Sequence, residues 1–140
     1  IMPGIGAMGY AIPAALAAKL VHPDRQVLAV TGDGGFGMAM NGLLTARDEN
    51  IPIVVVVLNN SALGWVKHGQ QERVIASEFA PTNFAEVARS MGCNGVRVTS
   101  PGDLPAAFAD ALAAPVATVI DVVTSRRVTF RDVTSPLTRG

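Results

Sequence analysis

The sequence predicts an α/β fold: a mainly parallel sheet with helices on both faces, stacked in three α/β/α layers. Two observations predict it. The strand-sized apolar runs, above all Ile53–Leu58 ("IVVVVL"), show no polar alternation, as strands covered on both faces do. Those runs also alternate with helix-length segments along the chain, and parallel strands need such crossovers.

Each element follows in order. Ile1–Gly9 reads as a glycine-punctuated loop, and Tyr10–Val21 as an Ala/Leu-rich helix with Pro13 tolerated in its first turn. His22–Arg25 is a polar, solvated turn. Gln26–Thr31 is a buried strand, and Gly32–Gly35 is the turn after it. A helix is expected over Phe36–Asn50, closed by Asn50 and Pro52. Ile53–Leu58 is the second strand. From Asn59–Asn60 a polar stretch broken by Gly64 and Gly69 runs to about Pro81. Thr82 or Asn83 caps a helix over Phe84–Met91. Gly95–Thr99 is the third strand, Ser100 or Asp103 opens a helix to Ala113, and Ala117–Val123 is the fourth strand. The tail from Thr124 is polar. Its arginines, Arg126, Arg127 and Arg131, read as a solvated tail or as contacts to other domains.

A chain of 140 residues is the size of one domain. No repeat or linker divides it. With 49% hydrophobic and 16% charged residues it is neither disordered nor built to bind nucleic acid. Lys+Arg and Asp+Glu both number 11, so no net field favours nucleic acid or an anionic membrane. The single cysteine, Cys93, excludes an internal disulfide and a cysteine-based zinc cluster. It reads as a buried hydrophobe in a reducing, cytoplasmic compartment. No run approaches the roughly 18 apolar residues of a membrane span, and the start lacks the basic region of a signal peptide. The chain opens in a Gly-rich loop without an initiator Met, so a piece of a longer polypeptide is expected.

Within "VLAVTGDGGFGMAM", Gly32, Gly34 and Gly37 spell G-x-G-x-x-G between a strand and a helix, the setting of a dinucleotide-binding turn. Two tests go against that reading. A dinucleotide site wants an acid at the end of its second strand to bond the ribose, but that strand ends in Asn59–Asn60. Asp33 would also put a charge beside the diphosphate, where like charges about 4 Å apart repel by about 4 kcal/mol at a protein surface. A helix N-terminus returns only part of that. A divalent cation reverses the sign. Mg²⁺ takes hard oxygen ligands, typically one or two carboxylates or carbonyls plus substrate phosphates. Asp33 at one strand tip and Asn60 at the next supply a carboxylate and an amide oxygen, side by side where α/β ligands bind. Gly34 and Gly35 let backbone N–H groups approach an anion. The pattern describes a metal–diphosphate site.

G-D-G followed after 24 residues by N-N, with "GAMGYAIPAALAA" (Gly6–Ala18) upstream, resembles the signature of thiamine diphosphate enzymes of the acetolactate synthase and 2-oxo acid decarboxylase group. The likeness runs from Gly4 to about Val123 and is to their C-terminal, diphosphate-binding domain. The resemblance implies that Asp33, Asn60 and the Ala62 carbonyl ligate Mg²⁺. It implies that Gly32 and Gly34 frame the turn, and that Gly35 and Phe36 amides meet the diphosphate. Position 35 is often serine in the group. Gly6 would offer its carbonyl to the aminopyrimidine, and Met8 would hold the cofactor bent so that its 4′-nitrogen takes the C2 proton. The resemblance further implies a 2-oxo acid substrate, decarboxylation followed by carboligation, and a homodimer or homotetramer. A glutamate from the pyrimidine domain of a second subunit would activate the cofactor. Glu49, Glu72, Glu78 and Glu86 match no such motif, so this chain alone is expected to be inactive. FAD, bound by a middle domain in some relatives, is not addressed by these residues.

Plainer readings stand beside these. Asp33 could be a turn residue, Met8 ordinary core, and Asn59 a turn residue rather than a ligand. His68, in "SALGWVKHGQQ", is a candidate catalytic or substrate contact or a surface residue. Trp65 and Gln70 are candidates for the substrate pocket, and Trp65 could equally pin its loop to the core. Acetolactate synthases usually carry tryptophan where this chain has Gly69. A non-ligating decarboxylase therefore stays open, as do a dinucleotide-binding domain and a non-catalytic remnant.

Overall fold

The valine run forms the centre of the sheet. A computed structural model describes residues 6–127; residues 1–5, which open the expected first loop, and residues 128–140, with Arg131, lie outside the described residues. The elements are α1 (Ala11–Val21), β1 (Leu28–Gly32), α2 (Asp33–Ala39), α3 (Gly42–Asp48), β2 (Val54–Asn59), α4 (Gly64–Gln70), α5 (Phe84–Ser90), β3 (Asn94–Val98), α6 (Leu104–Ala113) and β4 (Thr118–Val123). The strands are hydrogen-bonded in the order β1-β2-β4-β3, and every pairing is parallel. The strand count and the α/β/α layering agree with the sequence.

Because side chains alternate across a strand, the uninterrupted run of β2 feeds two cores. Val55 and Val57 join Ile12, Phe36, Leu43, Ala88 and Val119 on the face covered by α1, α2, α3 and α5. Val54 and Val56 join Val98, Ala107, Ala111 and Ile120 under α6. Burial of Phe36 and Leu43 is complete. At about 25 cal/mol per Å² of apolar surface, each large buried side chain contributes about 2 kcal/mol. Beyond the reach of α6, Leu28 and Val30 on β1 remain exposed. No helix among the described residues is long and apolar enough to cross a membrane.

Three local expectations are corrected. The segment Gly32–Gly35 is not a free turn: Gly32 is extended (φ −80°, ψ 168°) and the helix starts at Asp33. An acid in the first turn suits the positive helix end, and Asp33 Oδ1 accepts the Gly34 N–H at 2.8 Å. The helix expected over Phe36–Asn50 is two helices, broken at Met40–Asn41. Just past that break, a Cβ on Gly42 would lie 2.8 Å from Ile12 Cγ2, so this glycine is where α1 crosses closely. Finally, the polar stretch after Asn60 contains a helix, α4, none of whose residues is buried. Elsewhere the expected punctuation holds. Asn50 leaves α3 with φ 53°, and Asn83, rather than Thr82, caps α5 by accepting the Glu86 N–H.

Candidate functional site

The parallel register brings the tips of β1 and β2 together. Gly32 lies opposite Leu58, so Asp33 and Asn60 leave neighbouring strand ends. Asp33 is only 4% exposed. Its Oδ2 accepts the Ala62 N–H at 3.1 Å, and Asn60 Oδ1 accepts the same N–H at 3.1 Å. One backbone hydrogen thus gathers a carboxylate oxygen and an amide oxygen around Ala62. Ala62 itself forms an isolated antiparallel bridge with Glu78. The bonds of that bridge run from Leu63 N to Ser77 O and from Phe79 N to Ser61 O, both 2.8 Å. In such a pair the central residue's own N–H and C=O turn away from the partner strand. The Ala62 carbonyl therefore leaves the bridge on the same side as its N–H, away from Glu78.

The turn that achieves this is conformationally demanding. Ser61, between the two ligand candidates, has φ 53°, a left-handed conformation that L-residues adopt at a cost. Asn59 Oδ1 accepts from the Ser61 N–H at 3.2 Å and from its hydroxyl at 3.4 Å. Asn59 thus serves the turn. Its Nδ2 donates to Asp121 Oδ1 at 2.8 Å and to the Thr82 carbonyl at 2.9 Å. Asp121 is fully buried, and its Oδ2 accepts from the Phe84 N–H at 3.0 Å and Arg97 Nη1 at 2.7 Å. Neither Asp121 nor Arg97 stands out in the sequence, because their pairing depends on the β3–β4 register.

A cleft of ≈390 Å³ opens above this tip, lined by Gly6–Ala11, Val30–Gly35 and Ala62–Val66. Met8 reaches across it: a Cβ on Gly34 would meet Met8 Cε at 2.9 Å and Leu63 Cδ2 at 2.5 Å. Gly6, with φ 64°, stands at the cleft wall. A Cβ on Gly35 would fall 2.5 Å from Thr31 Oγ1, so the serine common in the resembled group would displace that hydroxyl here. Phe36 is buried and meets Phe84 edge-on with centroids 5.1 Å apart. As the fourth residue of α2 its N–H has Gly32 as helical acceptor, which leaves Gly34 and Gly35 as the glycine N–H groups of the first turn. A second depression of ≈410 Å³ shares Gly32, Asp33 and Ala62 and adds Asn60, Gly64 and Thr124.

Trp65 lines the first cleft and is 75% exposed. His68 and Gln70 are not among the lining residues. Gln70 is committed locally: its Nε2 donates to the Ile75 carbonyl at 2.9 Å, and its Oε1 accepts from Ile75 N at 3.1 Å and Ser77 Oγ at 2.7 Å. Lys67 on α4 pairs with Glu78, and this contact, ahead of the weaker pull of Arg126, holds the Glu78 carboxyl below its ordinary range. Burial pushes the Cys93 thiol up, and Arg47 opposes it less strongly. The Cys93 Sγ donates to the Leu43 carbonyl at 3.5 Å, as a packed structural residue would.

Arg126 departs from its reading as a solvated tail. Its Nε donates to the Asn60 carbonyl at 2.7 Å, and its Nη2 to the Ser61 and Phe79 carbonyls at 3.2 and 3.3 Å. Arg127 is exposed, and its backbone N–H donates to Ser125 Oγ at 3.0 Å.

No group of three or more His, Cys, Asp or Glu side chains among the described residues could hold a metal. The oxygens at the strand tips are of mixed type instead, one carboxylate with neutral amide and carbonyl oxygens, a set that suits a hard cation sharing phosphate ligands.

The family model of the thiamine pyrophosphate enzyme C-terminal TPP-binding domain matches residues 1–122. A Bacillus subtilis protein named as thiamine pyrophosphate-containing is 39% identical over 85% of this chain and 21% of its own length. The acetolactate synthase large subunit of Haemophilus influenzae is 38% identical over 77% of this chain and 20% of its own. A solved thiamine diphosphate-dependent 4-hydroxybenzoylformate decarboxylase from Rhodococcus jostii superposes with a TM-score of 0.80 at 32% identity, covering 84% of this chain and 23% of that one. The chain spans about a fifth of the length of the curated relatives it matches.

Proposed function

The chain belongs to the thiamine pyrophosphate enzyme family as its C-terminal cofactor-binding domain, and from that premise we propose that it supplies the Mg²⁺–diphosphate half of an active site acting on a 2-oxo acid. The observation that carries this reading is Asp33. Its carboxylate is buried and bonded by two backbone N–H groups, and the salt bridges among the described residues give it no cationic partner. Burying an uncompensated charge costs several kcal/mol. A divalent cation bound between Asp33, Asn60 Oδ1 and the Ala62 carbonyl would offset that cost and carry the diphosphate.

In this reading Gly34 and Gly35 keep the cleft floor free of side-chain bulk, and the Gly35 N–H, unlike the Gly34 N–H that Asp33 holds, would meet the phosphate oxygens. Met8 and Leu63 form an apolar wedge over that floor, and the Gly6 carbonyl faces the aminopyrimidine. Trp65 stands at the cleft mouth as a substrate-facing candidate. When bound, the cofactor supplies an electron sink for loss of CO₂ from the 2-oxo acid. No glutamate among the described residues lines the cleft; Glu78 lines a neighbouring depression. The activating carboxylate therefore comes from a pyrimidine domain on a second subunit, and the enzyme works as a cytoplasmic homodimer or homotetramer. Residues 1–140 alone are inactive. Turnover of a 2-oxo acid by this domain in isolation would overturn that last statement.

Carboligation of the acetolactate synthase kind is the leading reaction, and simple decarboxylation is the second reading. The second is favoured by Gly69, which leaves the acceptor side without a tryptophan, and by the decarboxylase named above. Product analysis of the full-length protein with pyruvate separates them: acetolactate supports ligation, acetaldehyde supports decarboxylation, and neither points to another 2-oxo acid. The site itself is tested by calorimetric titration with thiamine diphosphate, with and without Mg²⁺. Asp33→Ala is expected to remove the metal-dependent part of binding, and unchanged affinity and metal dependence would refute the assignment.

A further inference from the structure

Arg126 stands three residues beyond β4 and reaches back to the loop that carries Asn60 and Ala62. The two carbonyls it holds most directly, Asn60 O and Ser61 O, flank the α-carbon of Ser61. Ser61 is the residue with φ 53°. A left-handed conformation at a non-glycine residue persists only where its surroundings over-determine it. Here one guanidinium fixes the peptide planes on both sides. Two further bonds act on the same loop, Thr124 N–H to the Asn59 carbonyl and Phe79 N–H to the Ser61 carbonyl, both at 2.8 Å, and Arg126 donates besides to the Phe79 carbonyl. Arg126 is thus the side chain that ties the end of β4, the Asn60–Ala62 loop and the strand-like segment at Phe79 into one unit. Its charge is partly offset by Glu78 Oε1, 3.9 Å from Nη1.

We propose that Arg126 is a positioning residue for the metal site: its guanidinium fork locks the Ser61 turn so that Asn60 Oδ1 and the Ala62 carbonyl face Asp33. This rests on the Mg²⁺–diphosphate reading of the strand tips. A planar fork with fixed donors can hold two or three carbonyls at once, whereas a lysine ammonium acts as a single point charge on a flexible stem. The guanidinium, not merely a positive charge, is therefore required.

The test uses the full-length protein and measures Mg²⁺ affinity by calorimetry at saturating thiamine diphosphate, beside kcat as a function of Mg²⁺. Arg126→Met and Arg126→Lys are each expected to weaken Mg²⁺ binding about tenfold, the scale seen when a partner behind a metal ligand is removed. Activity should recover as Mg²⁺ is raised to saturation. Recovery separates a positioning role from general collapse of the domain, and thermal melting of each variant checks that it folds. Unchanged Mg²⁺ affinity in both variants would overturn the proposal. So would full rescue by lysine, which assigns the effect to charge alone, or a loss of activity that saturating Mg²⁺ does not restore. Asp33→Ala, run in parallel, keeps the two levels apart. If it retains metal-dependent binding, the site reading itself falls. If it loses binding while the Arg126 variants behave as the parent protein, only the role of Arg126 falls.

Discussion

Two buried aspartates near the C-terminal ends of the strands are handled in opposite ways. Asp121, on β4, is closed off: Asn59, the Phe84 N–H and Arg97 satisfy both its oxygens, and Arg97 neutralises its charge. Asp33, after β1, has hydrogen bonds from Gly34 and Ala62 but no countercharge among the described residues, and it borders three open depressions. Both networks pass through the Asn59–Asn60 pair. Asn59 turns inward to Asp121, and Asn60 turns toward Asp33. The difference teaches where the fold ends and the site begins. A polar network that balances its own charge holds strands together, and one that lacks a single cation is completed by what binds.

Removing each carboxylate should therefore fail in a different currency, and the largest effect is on binding. With Asp33→Ala in the full-length protein we expect thiamine diphosphate affinity at saturating Mg²⁺ to fall by about 100-fold or more, on the scale of a lost charged ligand. The melting temperature of the cofactor-free protein should stay nearly constant, because Asp33 contributes little net stability while unpaired. Asp121→Ala should do the reverse. It leaves Arg97 partly buried without its partner and frees Asn59 Nδ2 and the Phe84 N–H, at a cost of about 3 kcal/mol. Chemical denaturation reads that loss directly. If Asp33→Ala destabilised the apoprotein as much as Asp121→Ala, the contrast between an open and a closed network would collapse.

The same contrast explains what the sequence made legible. Asp33 and Asn60 could be read in advance because each follows a recognisable strand, and parallel strands put consecutive C-terminal tips together. The Asp121–Arg97 pair was not legible, since opposition across β3 and β4 depends on a register that no local pattern encodes. Helix α4 escaped for a related reason. With Gly64 and Gly69 in it and no buried residue, it carries neither strong propensity nor an apolar stripe. Arg126 looked like a tail residue because its acceptors are backbone carbonyls up to 66 positions away, which composition does not betray. The start of α2 moved from Phe36 to Asp33 because the glycines that suggested a turn are tolerated in a first turn that an acid stabilises.

A smaller effect probes the floor of the open site. Gly34→Ala places a methyl group against the ends of Met8 and Leu63. Both are flexible tips that can shift, so stability should change by only about 1 kcal/mol. The shifted side chains take up room in the cleft, and cofactor affinity should drop several-fold in the same calorimetric titration. An unaltered affinity would mean that the cofactor does not pass over Gly34.

The smallest effect concerns the far wall, where Lys67 of α4 bonds Glu78 beside the Ala62 bridge. Lys67 holds the Glu78 carboxyl below its ordinary value. A depressed carboxylate contributes stability above its unfolded pKa, about 4.3 for glutamate, and loses that contribution as pH falls through the lower folded value. Between neutrality and that range the link is fully present, so ordinary pH changes leave α4 in place. Because Glu78 is solvent-exposed, salt screens the pair, and its loss should loosen α4 without unfolding the sheet. Carboxyl-carbon NMR of the full-length protein should place the Glu78 midpoint below the ordinary glutamate value, moving upward in Lys67→Met. A midpoint at or above that value in the parent protein would remove the ion pair as a tether and leave Gln70 and the Ala62–Glu78 bridge to hold the segment.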